Sequence, residues 1–138
     1  MAGFFPPEYQ TFAHHPGDVF AELRSEKYAV MRILTVDRFD IPQGGTIRIA
    51  NQLMTATAND RLLVVGCALG GPEFKSVEEA RTALRDGRWM PKIGHVPRRT
   101  AGMMESKIFV DNVPVQEDEL RGYREWRQAF ERGEVGIF

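Results

Sequence analysis

Residues 61–89 read RLLVVGCALGGPEFKSVEEARTALRDGRW. From Leu62 to Leu69 the run is apolar without a breaker, which predicts a strand buried on both faces. Gly70, Gly71 and Pro72 end it. Ser76-Val77-Glu78-Glu79 then forms a capping box, because Ser76 and Glu79 each satisfy a free backbone N–H at a helix start. Val77, Ala80, Ala83 and Leu84 fall on one face of that helix, and Gly87 stands where a left-handed cap stops it. The stretch therefore predicts strand, glycine turn, helix.

Such a turn can hold a nucleophile or an anion. Cys67 is the only cysteine, and a helix dipole or a neighbouring histidine activates a thiol. Here the helix begins only at Ser76, and the residues before Cys67 are apolar. Burial raises a thiol pKa, so a core role is the stronger reading. The glycines match neither the dinucleotide fingerprint nor the phosphate loop that ends in Gly-Lys-Ser/Thr. Pro72 withholds an N–H and Glu73 adds a negative charge, so Gly70 and Gly71 read as the chain's exit from the sheet.

Working outward, residues 1–16 predict an extended arm, since Pro6, Pro7 and Pro16 deny it regular hydrogen bonds. Pro16 to Glu26 predicts a short helix, with Asp18 as cap and Val19, Phe20 and Leu23 at helical spacing. Tyr28 to Val36 predicts a buried strand. Pro42-Gln43-Gly44-Gly45 and Asn59-Asp60 mark turns, with an alternating strand over Thr46 to Ala50 between them. Asp37 and Asp40 flank Arg38 at a strand end, a place suited to a catalytic carboxylate; turn formation explains Asp40 equally well. Residues 90–104 carry Pro91, Gly94, Pro97 and Gly102 and predict a long loop. Lys107 to Val110 predicts a short strand. Gln116 to Arg132 predicts a helix with acids in its first turn and a stripe of Leu120, Tyr123, Trp126 and Phe130. Gly133 stops it.

The chain has 138 residues, 43% hydrophobic and 27% charged, with net charge -1. That suggests one domain, 1–138, able to hold a core without a disulfide or metal. It gives no whole-chain drive toward nucleic acid or anionic lipid. One cysteine excludes an internal disulfide framework and fits a reducing cytoplasmic setting. The apolar runs are too short to span a bilayer, and MAGFFPPEYQ lacks a signal-peptide pattern. His14 and His15 point to opposite sides of an extended arm, and His95 stands alone, so no metal spacing occurs. No cofactor motif is present.

Between Arg81 and Arg99 the chain is basic: Arg81, Arg85, Arg88, Lys92, Arg98 and Arg99 oppose one acid, Asp86, with Trp89 interleaved. Such a segment grips phosphate or docks on an acidic protein surface. Asp111, Glu117, Asp118, Glu119, Glu125, Glu131 and Glu134 supply acids in this same chain.

The expected fold is α+β: a small, mostly antiparallel sheet of about four strands, two main helices on one face and an extended N-terminal arm. Residues 61–88 followed by Lys107–Val110 also allow one βαβ crossover. The expected function is a non-catalytic interaction subunit of a larger homo- or hetero-oligomeric complex. Its docking residues are Phe4, Phe5 and Tyr9 in the arm and Arg88, Trp89, Lys92, Arg98 and Arg99 in the basic loop. Two alternatives stand beside it. One is a small-molecule enzyme or binder with its site at Cys67, Gly70, Gly71 and His95. The other is a nucleic-acid-binding accessory protein that uses the basic loop.

Overall fold

The structure is a computed structural model and describes residues 4–138; residues 1–3 of the expected arm lie outside the described residues. Among the described residues seven strands occur: β1 (Asp18–Arg24), β2 (Lys27–Ile41), β3 (Thr46–Ile49), β4 (Gln52–Thr55), β5 (Asp60–Leu69), β6 (Ile93–Arg99) and β7 (Ile108–Asn112). Two helices join them, α1 (Val77–Arg85) and α2 (Arg121–Glu131), with 3-10 turns at Pro7–Tyr9 and Glu117–Leu120. Five strands make an antiparallel sheet in the order β6-β5-β2-β1-β7, and β3-β4 form a separate hairpin. The α+β class and the antiparallel sheet are as expected. The main sheet has five strands rather than about four, and the two-stranded hairpin stands beside it.

Two expectations fail for identifiable reasons. Val19, Phe20 and Leu23 have helical spacing, yet Asp18–Arg24 is a strand. The same residues also alternate: Val19 and Ala21 join one core cluster, while Phe20 joins another on the opposite face. Pairing with β2 supplies tertiary burial that a single turn of helix lacks. The hairpin turn is Ser25-Glu26, with Ser25 at φ 57°, and it lacks the Asn-Gly or Asp-Gly signal of such turns.

The expected loop over 90–104 contains β6. Pro97 sits in it because its backbone faces outward. The Pro97 carbonyl accepts the Phe138 N–H at 2.9 Å, so the missing N–H also falls outside the β5 ladder. No βαβ crossover forms, since β5 and β6 pair antiparallel and β7 lies beside β1.

The segment Val135–Phe138 stitches the hairpin to the main sheet. Ile137 exchanges hydrogen bonds with Arg48 on β3 and Ala50 just after it, and Phe138 with Pro97 and Arg99 on β6. Ile137 is fully buried.

The core divides into three clusters. α1 packs Ala80 and Ala83 on Val19, Val30, Leu34 and Val110, with Trp89 and Phe74 closing the edge. α2 instead lays Trp126 and Phe130 on a second cluster, where Leu62 and Val64 meet Ile47, Ile49 and Ile137. The two helices thus cover separate clusters. In the third cluster, Met103 from the turn after β6 packs on Phe20, Ile33, Val65 and Cys67, with Phe12 of the arm beside it.

Candidate functional site

Cys67 lies in the third cluster, fully buried, and burial pushes its thiol up to about 12 against the opposing charges of Arg98 and Lys107. His95 lies on the other side of the sheet. Val96 pairs with Cys67, so the preceding residue points the opposite way, and the His95 ring packs on Tyr123 and Trp126 of α2. The structure therefore does not bring Cys67 and His95 together. Gly70 and Gly71 serve the fold. The Gly70 carbonyl accepts the Trp89 indole N–H at 3.0 Å, and a Cβ on Gly71, which has φ 79°, would strike the Met90 carbonyl.

The basic residues are also dispersed. Arg88 pairs with Asp86 at 3.4 Å. Arg98 and Arg99 alternate across β6, opposite Val65 and Val64, which belong to different clusters. Arg99 stacks over the Tyr9 ring at 5.8 Å, and Lys92 is exposed. Arg85 meets Asp111 at 3.2 Å, one of the pairings of basic and acidic segments that the sequence suggests. Within the arm, Phe5 is buried on its own chain; its N–H donates to Asp60 at 2.6 Å. Phe4 packs edge-on against it with centroids 5.0 Å apart, and Tyr9 flanks it at 5.9 Å. Only Trp89 among these residues lines a substantial cleft.

That cleft encloses about 530 Å³. Leu34 and Ala68 of the sheet and the indole of Trp89 give it an apolar base. Met90, Pro91 and Gly94 form one wall, and the 3-10 turn and first half of α2 form the other, bearing Asp118, Glu119, Arg121 and Glu125. Met90, which lines it, is 70% exposed, and Ile93, one residue before the lining Gly94, is 45% exposed.

Arg32 holds the second wall in place. It sits on β2 between Val30 and Leu34, only 6% exposed. Its guanidinium donates to the carbonyls of Val113 and Pro114 at 2.6 and 2.7 Å and pairs with Glu119. Glu119 in turn accepts the Gln116 N–H at 2.9 Å, capping the 3-10 turn. A buried cation thus finds a carboxylate and two carbonyls, the condition for tolerating its burial. The sequence carries a signal of it: one arginine inside the apolar run YAVMRILTV.

α2 itself has no fully buried residue. It approaches β6 through Gly122, whose added Cβ would lie 3.0 Å from the His95 Cβ. Beneath α2, Asp37 lies 3.4 Å from Arg127, and the Arg127 guanidinium donates to the Tyr123 hydroxyl at 3.3 Å. Burial pulls the His95 imidazole down to about 4, with the Asp37 carboxylate opposing. The ring is therefore neutral at pH 7. Asp40, by contrast, is exposed and held below the usual carboxylate range by hydrogen bonds from Arg38 and Arg61.

Among the described residues no helix is long and apolar enough to cross a membrane, and no group of three His, Cys, Asp or Glu is placed to hold a metal. The chain matches no protein-family model, no curated protein and no solved structure.

Proposed function

We propose that this protein is a non-catalytic interaction subunit that docks a partner protein in the cleft between Trp89–Gly94 and the start of α2. The observation that carries this reading is the exposure of Met90 on the wall of a cleft with an apolar base, with Ile93 exposed one residue before its lining Gly94. A concavity with an apolar base, bordered by exposed apolar and charged side chains, is a mark of a docking site. β6 begins at Ile93, so an extended partner segment would also find strand backbone beside the groove. The docking surface is thereby narrowed from the arm and the whole basic segment to Trp89 and its neighbours. Phe5 and Tyr9 serve as internal anchors in this account.

A photo-crosslinking amino acid placed at Met90 or Ile93 tests it in cells. The reading expects one discrete adduct at both positions and none at Leu53, an apolar residue on the β3-β4 hairpin whose exposure of 61% lies between theirs. Equal labelling at all three positions, or none at any, would overturn it.

A further inference from the structure

Beneath α2, three polar atoms are shielded from solvent yet have no hydrogen-bond partner in the protein: Thr35 Oγ1, Asp37 Oδ2 and His95 Nε2. Arg127 is close to Asp37 at 3.4 Å, near enough for charge attraction but not aligned as a hydrogen bond. Thr35 and Asp37 lie two apart on β2 and so share a face. Two of the three atoms converge on one point. A Cβ placed on Gly66 would lie 2.7 Å from His95 Nε2 and would collide with Thr35 Oγ1. Glycine at this position lets the hydroxyl and the imidazole nitrogen close in over the strand, where any side chain would collide with them.

We infer that one water molecule beside Gly66 bridges Thr35 Oγ1 on β2 to His95 Nε2 on β6. Buried polar groups in folded proteins find partners, and internal waters with two to four polar neighbours supply them. Thr35 can donate or accept, and neutral imidazole offers one donor and one acceptor, so a single water satisfies both. Asp37 offers a further acceptor on the same face of β2.

The water has a structural consequence. His95 is the platform on which α2 sits: Gly122 rests on its Cβ, and the rings of Trp126 and Tyr123 pack on its imidazole at 5.5 and 5.6 Å. α2 has no fully buried residue, and beyond His95 it is held by Trp126 and Phe130 on the second cluster. Holding Nε2 fixes the imidazole orientation, which seats α2 and so sets the second wall of the cleft. This inference does not depend on what the cleft binds.

Water-oxygen magnetic relaxation dispersion on the full chain tests it. The wild type should hold one more long-lived water than Thr35→Val, a nearly isosteric change that removes the hydroxyl. Amide exchange in residues 122–127 should be about 10-fold faster in that variant. An unchanged count of long-lived waters would overturn the site, and unchanged exchange would overturn the seating role. A high-resolution crystal structure of the unaltered chain gives an independent reading. Density within hydrogen-bonding distance of both Thr35 Oγ1 and His95 Nε2 supports the water, whereas a direct Thr35–His95 hydrogen bond excludes it.

Discussion

Acidification should loosen this fold through His95 well before ordinary carboxylates protonate. The groups facing the ring are Asp37 and Thr35 from β2 and Tyr123, Trp126 and Arg127 from α2. Burial lowers its folded pKa from 6.5 to about 4. Above pH 6.5 the ring is neutral in both folded and unfolded chains, and its stabilising contribution is fully present. As pH falls toward 4 the unfolded chain takes up a proton that the folded chain refuses, so stability is lost across that window. At about 1.4 kcal/mol per pH unit the full loss is about 3 kcal/mol. The ring is only partly enclosed, and solvent screening reduces this to about half. Urea unfolding of wild type and His95→Gln at pH 7.5, 6.5, 5.5 and 4.5 isolates the effect, because groups common to both chains, including His14 and His15, cancel in the difference. The wild type should lose about 1.5 kcal/mol more than the variant between pH 7.5 and 4.5. An NMR titration of the wild-type ring gives the folded pKa without any substitution. A flat difference together with a midpoint near 6.5 would refute the claim that α2 buries His95.

Other outcomes follow from the packing. Cys67 should resist iodoacetamide from pH 6 to 9 in the native chain and react promptly in urea, read by mass spectrometry, because burial lifts its thiol to about 12; rapid native labelling would contradict that burial. Ile137→Ala should cost about 2–5 kcal/mol in denaturant unfolding, since the side chain is fully enclosed where the hairpin meets the last residues. Arg32→Met should cost about 3 kcal/mol or more by leaving Glu119 and the Val113 and Pro114 carbonyls without their donor. Amide exchange in residues 113–120 should rise with it, and an unchanged exchange rate there would deny the clamp.

Much of the backbone was legible wherever local signals agreed with tertiary packing. Ser76 accepts the Glu79 N–H at 3.1 Å and Gly87 adopts φ 69°, so α1 lies where its cap and stop place it. The Glu79 carboxylate, however, takes the N–H of Lys75 rather than that of Ser76. β5 is the buried strand its apolar run predicts, and the acidic first turn and ring stripe mark α2. The helix pattern over 116–132 nonetheless begins as a 3-10 turn, tightened where Glu119 turns back to Gln116 and Arg32. β1 and β6 were hidden for opposite reasons. In β1 seven residues fit two periodicities, and only the long-range ladder with β2 selects one. In β6 glycine and proline suggest a loop, while the outward-facing backbone of Pro97 makes an edge strand possible.

The sites were less legible than the fold. Trp89 was visible as an aromatic among cations, but its place in the cleft depends on Gly70 turning back to receive its indole N–H. Arg98 and Arg99 look like one patch in sequence, yet strand alternation sends them to opposite faces. The grouping of Thr35, Asp37 and His95 beneath α2 brings together residues about sixty positions apart in sequence, and no spacing rule reports such a meeting.

The interaction reading rests on the Met90–Ile93 surface, and paired purifications of the full chain test it most directly. Met90→Glu/Ile93→Glu places charge where about 3 kcal/mol of apolar burial is expected on binding, so affinity should fall on the order of 100-fold. The account predicts that wild type retains a stoichiometric partner that the double variant loses at unchanged thermal midpoint, while Leu53→Glu retains it. A wild-type chain that is monomeric and free of any partner by light scattering, or a partner held equally by all three chains, would contradict it.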